Sequence, residues 1–208
     1  RHGGLDSLTG VMPFDFRVQP GFPDGQRPAA AMLFWSAFRG KLETVMKPEA
    51  RALAFFEKAL DPDFAISAVS HDGTLLGLAG YKTDNGAFVN ETLAQMTSVY
   101  GRFGGLWRAT LLNLLEREPE PGSLLMDGIF VSEAARGKGV GTALLQAIFR
   151  KAAEDGLNRV RLDVIDRNVR ARSLYERVGF RAVSEEHTGV LKHVFGFSSA
   201  TRMEKPIP

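Results

Sequence analysis

Val131-Ser132-Glu133-Ala134-Ala135-Arg136-Gly137-Lys138-Gly139-Val140-Gly141-Thr142-Ala143-Leu144-Leu145 decides how this chain is read, because an apolar strand runs through a glycine-rich basic turn into a helix. Small side chains let main-chain N–H groups approach an anion closely, and the unpaired amides at the helix start add partial positive charge. Arg136 and Lys138 place full charges beside them. The turn therefore reads as a pyrophosphate site. The alternative is a tight strand-to-helix turn with no ligand. Against it, three alternating glycines cost about 1 kcal/mol each relative to Ala, and packing rarely requires them.

Two familiar phosphate loops do not fit. A Walker A loop needs Gly-Lys followed by Ser or Thr, whereas Lys138 is followed by Gly139. A dinucleotide loop needs Gly where Thr142 stands, and only Asp163 is available as the acidic ribose partner. What remains is Arg-x-x-Gly-x-Gly over residues 136–141.

Downstream, the alternating strand Val160-Arg161-Leu162-Asp163-Val164-Ile165 leads to Asn168-Val169-Arg170-Ala171-Arg172-Ser173-Leu174-Tyr175-Glu176-Arg177-Val178-Gly179-Phe180. Ala171, Leu174, Tyr175 and Val178 have the i, i+3, i+4, i+7 spacing of a buried helix face. Asn168 suits a helix N-cap, a role compatible with ligand contact, and Tyr175 alone would pass for a core side chain. Gly179 is expected to end the helix in a left-handed conformation, with Phe180 starting the next strand in the core.

In this order and spacing, the two segments resemble the GNAT superfamily of acyl-CoA-dependent N-acyltransferases, whose signature is usually written Gln/Arg-x-x-Gly-x-Gly/Ala. The resemblance implies an α+β fold, an α/β/α sandwich with a mixed, mostly antiparallel sheet of about seven strands and one splayed parallel pair. It also implies acetyl-CoA as cosubstrate and an amine as acceptor. Carried over by position, the main chain of Ile129, Phe130 and Val131 would pair with the pantetheine arm. Arg136, Gly137, Lys138, Gly139, Val140, Gly141 and Thr142 would hold the pyrophosphate, and Asn168 would steady the cosubstrate from the other side. Tyr175 occupies the position of the family's general acid. Asp127, the sole ionisable group from Leu124 to Val131, is the candidate base. A carboxyl with an ordinary pKa of about 3.9 is a weak direct base, which favours relay through water. A purely structural Asp127, and a GNAT-fold sensor that binds acyl-CoA without turnover, remain open at this point.

Composition narrows the classes. A chain of 208 residues suits a single domain over residues 1–208, and 44% hydrophobic with 24% charged residues is ordinary globular composition. The longest apolar stretch, Ala29 to Phe38, falls short of the roughly 18 residues of a membrane span. With no cysteine, thiolate ligands and a cysteine nucleophile are excluded, and a reducing cytoplasm fits. His2, His71, His187 and His193 show no pair at metal-ligand spacing on a helix, and His71 falls in a turn with Asp72 and Gly73, so no metal is expected. A net charge of +2 is too small to argue for nucleic acid, no basic run is interleaved with aromatics, and no nucleic acid is expected as a partner.

Along the chain, Phe14–Gln19 reads as a strand, Ala29–Val45 and Glu49–Leu60 as helices parted by Pro48, and Phe64–Ser70 with Thr74–Tyr81 as a hairpin. Leu124–Val131 is the strand entering the glycine loop and Thr142–Asp155 its helix. Phe180–Val183 and a segment near Phe195–Lys205 are the last strands. About forty residues separate Tyr81 from Leu124, too many for a structureless loop, so a helical insert is expected over about 84–122. Within it Glu91–Val99 and Leu106–Glu118 read as amphipathic helices broken at Gly101–Gly105, with Tyr100, Phe103 and Trp107 crowding the break. The insert either covers the sheet, walls the acceptor pocket or serves a homodimer.

Overall fold

The computed structural model describes residues 15–90, 93–113, 117–187, 189, 193 and 196–208. Phe14, Glu91 and Phe195, which bound expected elements, lie outside them. A short strand β1 (Arg17–Pro20) precedes helices α1 (Arg27–Met46) and α2 (Glu49–Ala59). Pro28 sits in the first turn of α1, where its missing N–H has no intrahelical partner to lose. In α2 the buried residues Ala52, Phe55, Phe56 and Ala59 follow the helical period.

The hairpin β2 (Ala65–Val69) and β3 (Leu75–Thr83) turns at Gly73, whose φ of 85° is left-handed. A two-residue strand β4 (Gly86–Ala87) folds back on β3 and was not expected from the sequence. The insert follows as α3 (Leu93–Tyr100) and α4 (Arg102–Asn113). Then come β5 (Ser123–Val131), α5 (Val140–Glu154), β6 (Arg159–Ile165), α6 (Val169–Arg177), β7 (Arg181–His187) and β8 (Ser199–Pro206).

The strands form one eight-stranded sheet in the order β1-β2-β3-β5-β6-β8-β7, with β4 paired to β3 off this path. The mixed, mostly antiparallel sheet is as expected, with eight strands where about seven were anticipated; β5 and β6 are the parallel pair. One apolar layer joins α1, α2 and the insert to the sheet, and another joins α5 and α6 to its opposite face. Among the described residues, no helix is long and apolar enough to cross a membrane.

The insert is helical as expected, but its break is narrower. Only Gly101, with a φ of 75°, makes the turn, while Gly104 and Gly105 lie inside α4. A Cβ on Gly105 would stand 2.7 Å from Thr97 Cα, so this glycine permits close contact between the two helices. Of the three aromatics at the break, Tyr100 and Trp107 share the Arg108 guanidinium, each ring 4.4 Å away, whereas Phe103 is 91% exposed and stands apart. The Tyr100 hydroxyl donates to Met46 O at 2.6 Å, and Arg108 Nε donates to Val45 O at 2.7 Å. Both satisfy carbonyls at the C-terminus of α1, where cationic side chains also oppose the helix dipole.

The insert ends in a charged junction. Glu120 Oε1 accepts from Arg161 at 3.1 Å and Arg202 at 2.9 Å, and its Oε2 accepts from Arg159 at 3.0 Å. Arg161 is only 2% exposed, so this carboxylate balances a buried cation while tying the segment before β5 to β6 and β8.

Candidate active site

The parallel pairing of β5 and β6 is brief, running from Ser123 opposite Arg159 to Met126 opposite Leu162. Past that point β5 pairs only with β3 and β6 only with β8, so the two strands part. The edge of residues 127–131 that faces β6 is left without a strand partner.

A bulge sits where the strands part. On β3, Tyr81 lies opposite Met126 while its neighbour Gly80 lies opposite Gly128, so Asp127 is the extra residue in β5. The extra residue inverts the side-chain alternation. Leu124 and Met126 face the α5 layer; beyond the bulge Ile129 and Val131 do so, and Phe130 turns into the α1 layer. There Phe130 meets Phe34 and Phe38 edge-on, with ring centroids 5.4 and 5.5 Å away. Of the three residues expected to line the split with main chain, Phe130 thus also anchors the aromatic wall beside it.

Beyond Val131, a 3-10 turn over Glu133–Ala135 leads into the glycine loop. Arg136 to Gly139 are exposed, and the Arg136 Nε returns to Val131 O at 3.4 Å. Gly137 and Gly139 have φ of 76° and 83°, and a Cβ on either would meet nothing within 4 Å. Both are therefore required by backbone conformation, with open space around them. Gly139 is the N-cap of α5, so the amides of Val140, Gly141 and Thr142 open the helix. Gly141 has an ordinary φ and lies near Leu174 of α6, 3.4 Å from where its Cβ would be.

Tyr175 comes from the opposite side of the split. Its ring packs with Phe180 at 5.7 Å in the α5 layer, and the Ile129 backbone lies beside its hydroxyl. Burial pushes the phenol pKa up to about 12, and the Ile129 backbone only partly opposes this. Asn168, exposed at the end of β6, caps α6 by accepting from the Ala171 amide at 3.2 Å. The capping role foreseen for it is thus present.

Asp127 opens toward the α1 layer, into a cleft of about 220 Å3. Phe34, Phe38, Leu42, Val89 and Leu112 line it on the apolar side, and Asp163 joins Asp127 there. Val89 and Leu112 belong to the insert region, which therefore forms part of this wall. One Asp127 oxygen, Oδ2, is shielded from solvent. Sequence reasoning had weighed Asp163 only as a ribose partner. The signal was available: Arg161 and Asp163 alternate with buried Val160, Leu162 and Val164, which places Asp163 on the face away from α5.

Residues 28–180 match the acetyltransferase (GNAT) family. Over 62 residues the chain is 39% identical to YobR, an uncharacterised N-acetyltransferase of Bacillus subtilis, covering 30% of this chain and 25% of that protein. Over 63 residues it is 30% identical to the thialysine N-epsilon-acetyltransferase of Bos taurus, covering 30% and 37%. The matched stretch thus spans well under half of either relative. Among solved structures, a GCN5-related N-acetyltransferase from Kribbella flavida aligns over 94% of this chain and 99% of its own, with a TM-score of 0.57 and 19% identity. The ribosomal-protein-S18-alanine N-acetyltransferase of Escherichia coli aligns over 93% and 94%, with a TM-score of 0.53 and 13% identity. Both share the fold. The chain belongs to the GNAT acetyltransferase family.

Proposed function

We propose that the protein is an acetyl-CoA-dependent N-acetyltransferase, a single domain that moves an acetyl group to a primary amine by direct attack in a ternary complex. The observation that carries this reading is the parted β5–β6 pair, with a glycine loop leading into a helix at one lip. Main-chain groups of Ile129, Phe130 and Val131 hold the pantetheine arm. The amides from Gly137 to Thr142, with Arg136 and Lys138, hold the pyrophosphate, and Asn168 closes the other lip.

The amine nitrogen forms a bond to the thioester carbon as the carbon–sulfur bond breaks, and the sulfur leaves with the electron pair. Bringing the two reactants together in fixed geometry supplies much of the rate. A lysine-like amine, with a pKa of about 10.4, must first lose a proton, and Asp127 accepts it directly or through water; the second nitrogen proton, lost as the amide forms, passes through water to the departing thiolate, giving CoA thiol. The Tyr175 phenol, with a pKa of about 12, stays protonated at neutral pH and donates a hydrogen bond to the departing sulfur. A thiol pKa near about 8.5 makes full transfer from such a phenol uphill, so hydrogen-bond stabilisation is the larger part of its role.

Amine-dependent release of free thiol from acetyl-CoA tests this reading. Release that rises with amine concentration supports it, whereas tight acetyl-CoA binding with no release for any amine would point instead to a sensor.

A further inference from the structure

We propose that the cleft beside Asp127 takes a small primary amine on an apolar body the size of a ring or branched chain, bearing no carboxylate on the amine-bearing carbon. In this proposal Asp163 joins Asp127 in holding the ammonium. The proposal rests on the acetyl-transfer reading above and names its acceptor class.

Size comes first. A volume of about 220 Å3 lies below the roughly 300–1,000 Å3 of sites for drug-sized ligands, which suits a compact body. The walls come next. Phe34 and Phe38 face the cleft with centroids 4.6 Å apart, and Leu42, Val89 and Leu112 extend the apolar surface. A second ammonium or a ring of hydroxyls would be buried against these side chains without hydrogen-bond partners, a costly arrangement. Polyamines and amino sugars are therefore poor fits.

Charge decides the remaining point. Met126 and Leu162 are the last paired residues of β5 and β6, and Asp127 and Asp163 are the residues immediately after them. Both carboxylates thus reach the cleft from the mouth of the split. Asp163 Oδ2 also lies 3.8 Å from Arg161, but that guanidinium is held closer by Glu120, at 3.1 Å, so Asp163 keeps part of its charge for the cleft. An ammonium there is attracted by Asp127 and, more weakly, by Asp163, while an adjacent carboxylate on the same carbon is repelled by both. The cations lining the cleft already hold protein anions: Lys82 pairs with Glu118 at 3.3 Å and Arg117 with Glu186 at 2.6 Å. This favours an amine such as phenethylamine over the corresponding amino acid.

Acetylation of phenethylamine, phenylalanine, spermidine and glucosamine by the whole chain, at saturating acetyl-CoA, tests the assignment. The expected result is a kcat/KM for phenethylamine at least about tenfold above each of the other three. In Asp163→Asn, the phenethylamine KM rises about tenfold and its margin over phenylalanine narrows, while acetyl-CoA affinity is unchanged; some thermal stability is lost because Asp163 also lies 3.8 Å from the buried Arg161. Phenethyl alcohol, uncharged, should inhibit wild type and Asp163→Asn equally, a comparison that a merely structural role for Asp163 would not satisfy. Preference for phenylalanine, spermidine or glucosamine would overturn the proposal and leave acetyl transfer standing, as would an unchanged phenethylamine KM in a folded variant. Should Asp163→Asn not fold, the wild-type ranking decides alone. Absence of thiol release with every amine would overturn both readings.

Discussion

Gly137 and Gly139 carry left-handed φ values with open space around them, so replacing either by Ala strains the backbone without creating a clash. The left-handed conformation costs an L-residue roughly 1–2 kcal/mol, and relief of that strain would turn the loop amides out of position. Gly139→Ala is therefore expected to weaken acetyl-CoA binding by about tenfold or more in titration calorimetry, a loss of roughly 1.4 kcal/mol, with the fold retained. Gly141→Ala, at an ordinary φ and with a neighbour at van der Waals distance, should bind nearly as wild type. Equal losses at both positions would contradict the conformational account. At Tyr175, removal of the hydroxyl in Tyr175→Phe leaves the ring packing and takes away the proposed donor to the sulfur. Turnover should fall by about a hundredfold with acetyl-CoA affinity kept, and an unchanged kcat would remove Tyr175 from the chemistry.

Between elements, the insert is held to α1 by few but specific contacts. Arg108 donates to Val45 O and stacks on Tyr100 at 4.4 Å, so Arg108→Ala leaves C-terminal carbonyls of α1 unsatisfied and should cost about 2 kcal/mol in denaturant unfolding. Gly105→Ala should cost a similar amount by driving α3 and α4 apart, because the new Cβ meets backbone atoms of Thr97. If both variants unfold at the wild-type midpoint, the insert is not docked as described. The same elements show where the sequence was legible. The strand, loop and helix from Leu124 to Asp155 could be read because apolar period and glycine conformation are local properties. The bulge at Asp127 could not, since its evidence is the register against β3. Gly104 and Gly105 suggested a turn because the reason for Gly105, the approach of Thr97, lies on another helix. For the site, Tyr175 and the loop were visible as motifs, whereas the presence of Asp163 and Asp127 in one cleft required knowing which strands are neighbours.

Across the whole molecule, all three tyrosines, Tyr81, Tyr100 and Tyr175, have raised pKa values, and burial is the chief cause at each. The native state keeps its phenolic protons at pH values where the unfolded chain, with pKa values of about 10, releases them. The stability is therefore undiminished below about pH 10 and falls as pH rises toward the native values, about 12 for Tyr100 and Tyr175. Phenolate absorbance should stay low at pH 10 and appear together with loss of folded structure; a simple three-site titration centred at pH 10 in folded protein would contradict the burial. The parted strands remain the central feature, since they bring the glycine loop, Tyr175 and the acidic cleft to one place. Hydrogen–deuterium exchange with and without acetyl-CoA tests that claim most directly. Protection is expected in residues 128–142 and around Asn168 to Tyr175, with the β1–β2 edge unchanged. Binding that protects some other surface, or leaves the amides of 137–142 exchanging as before, would contradict it.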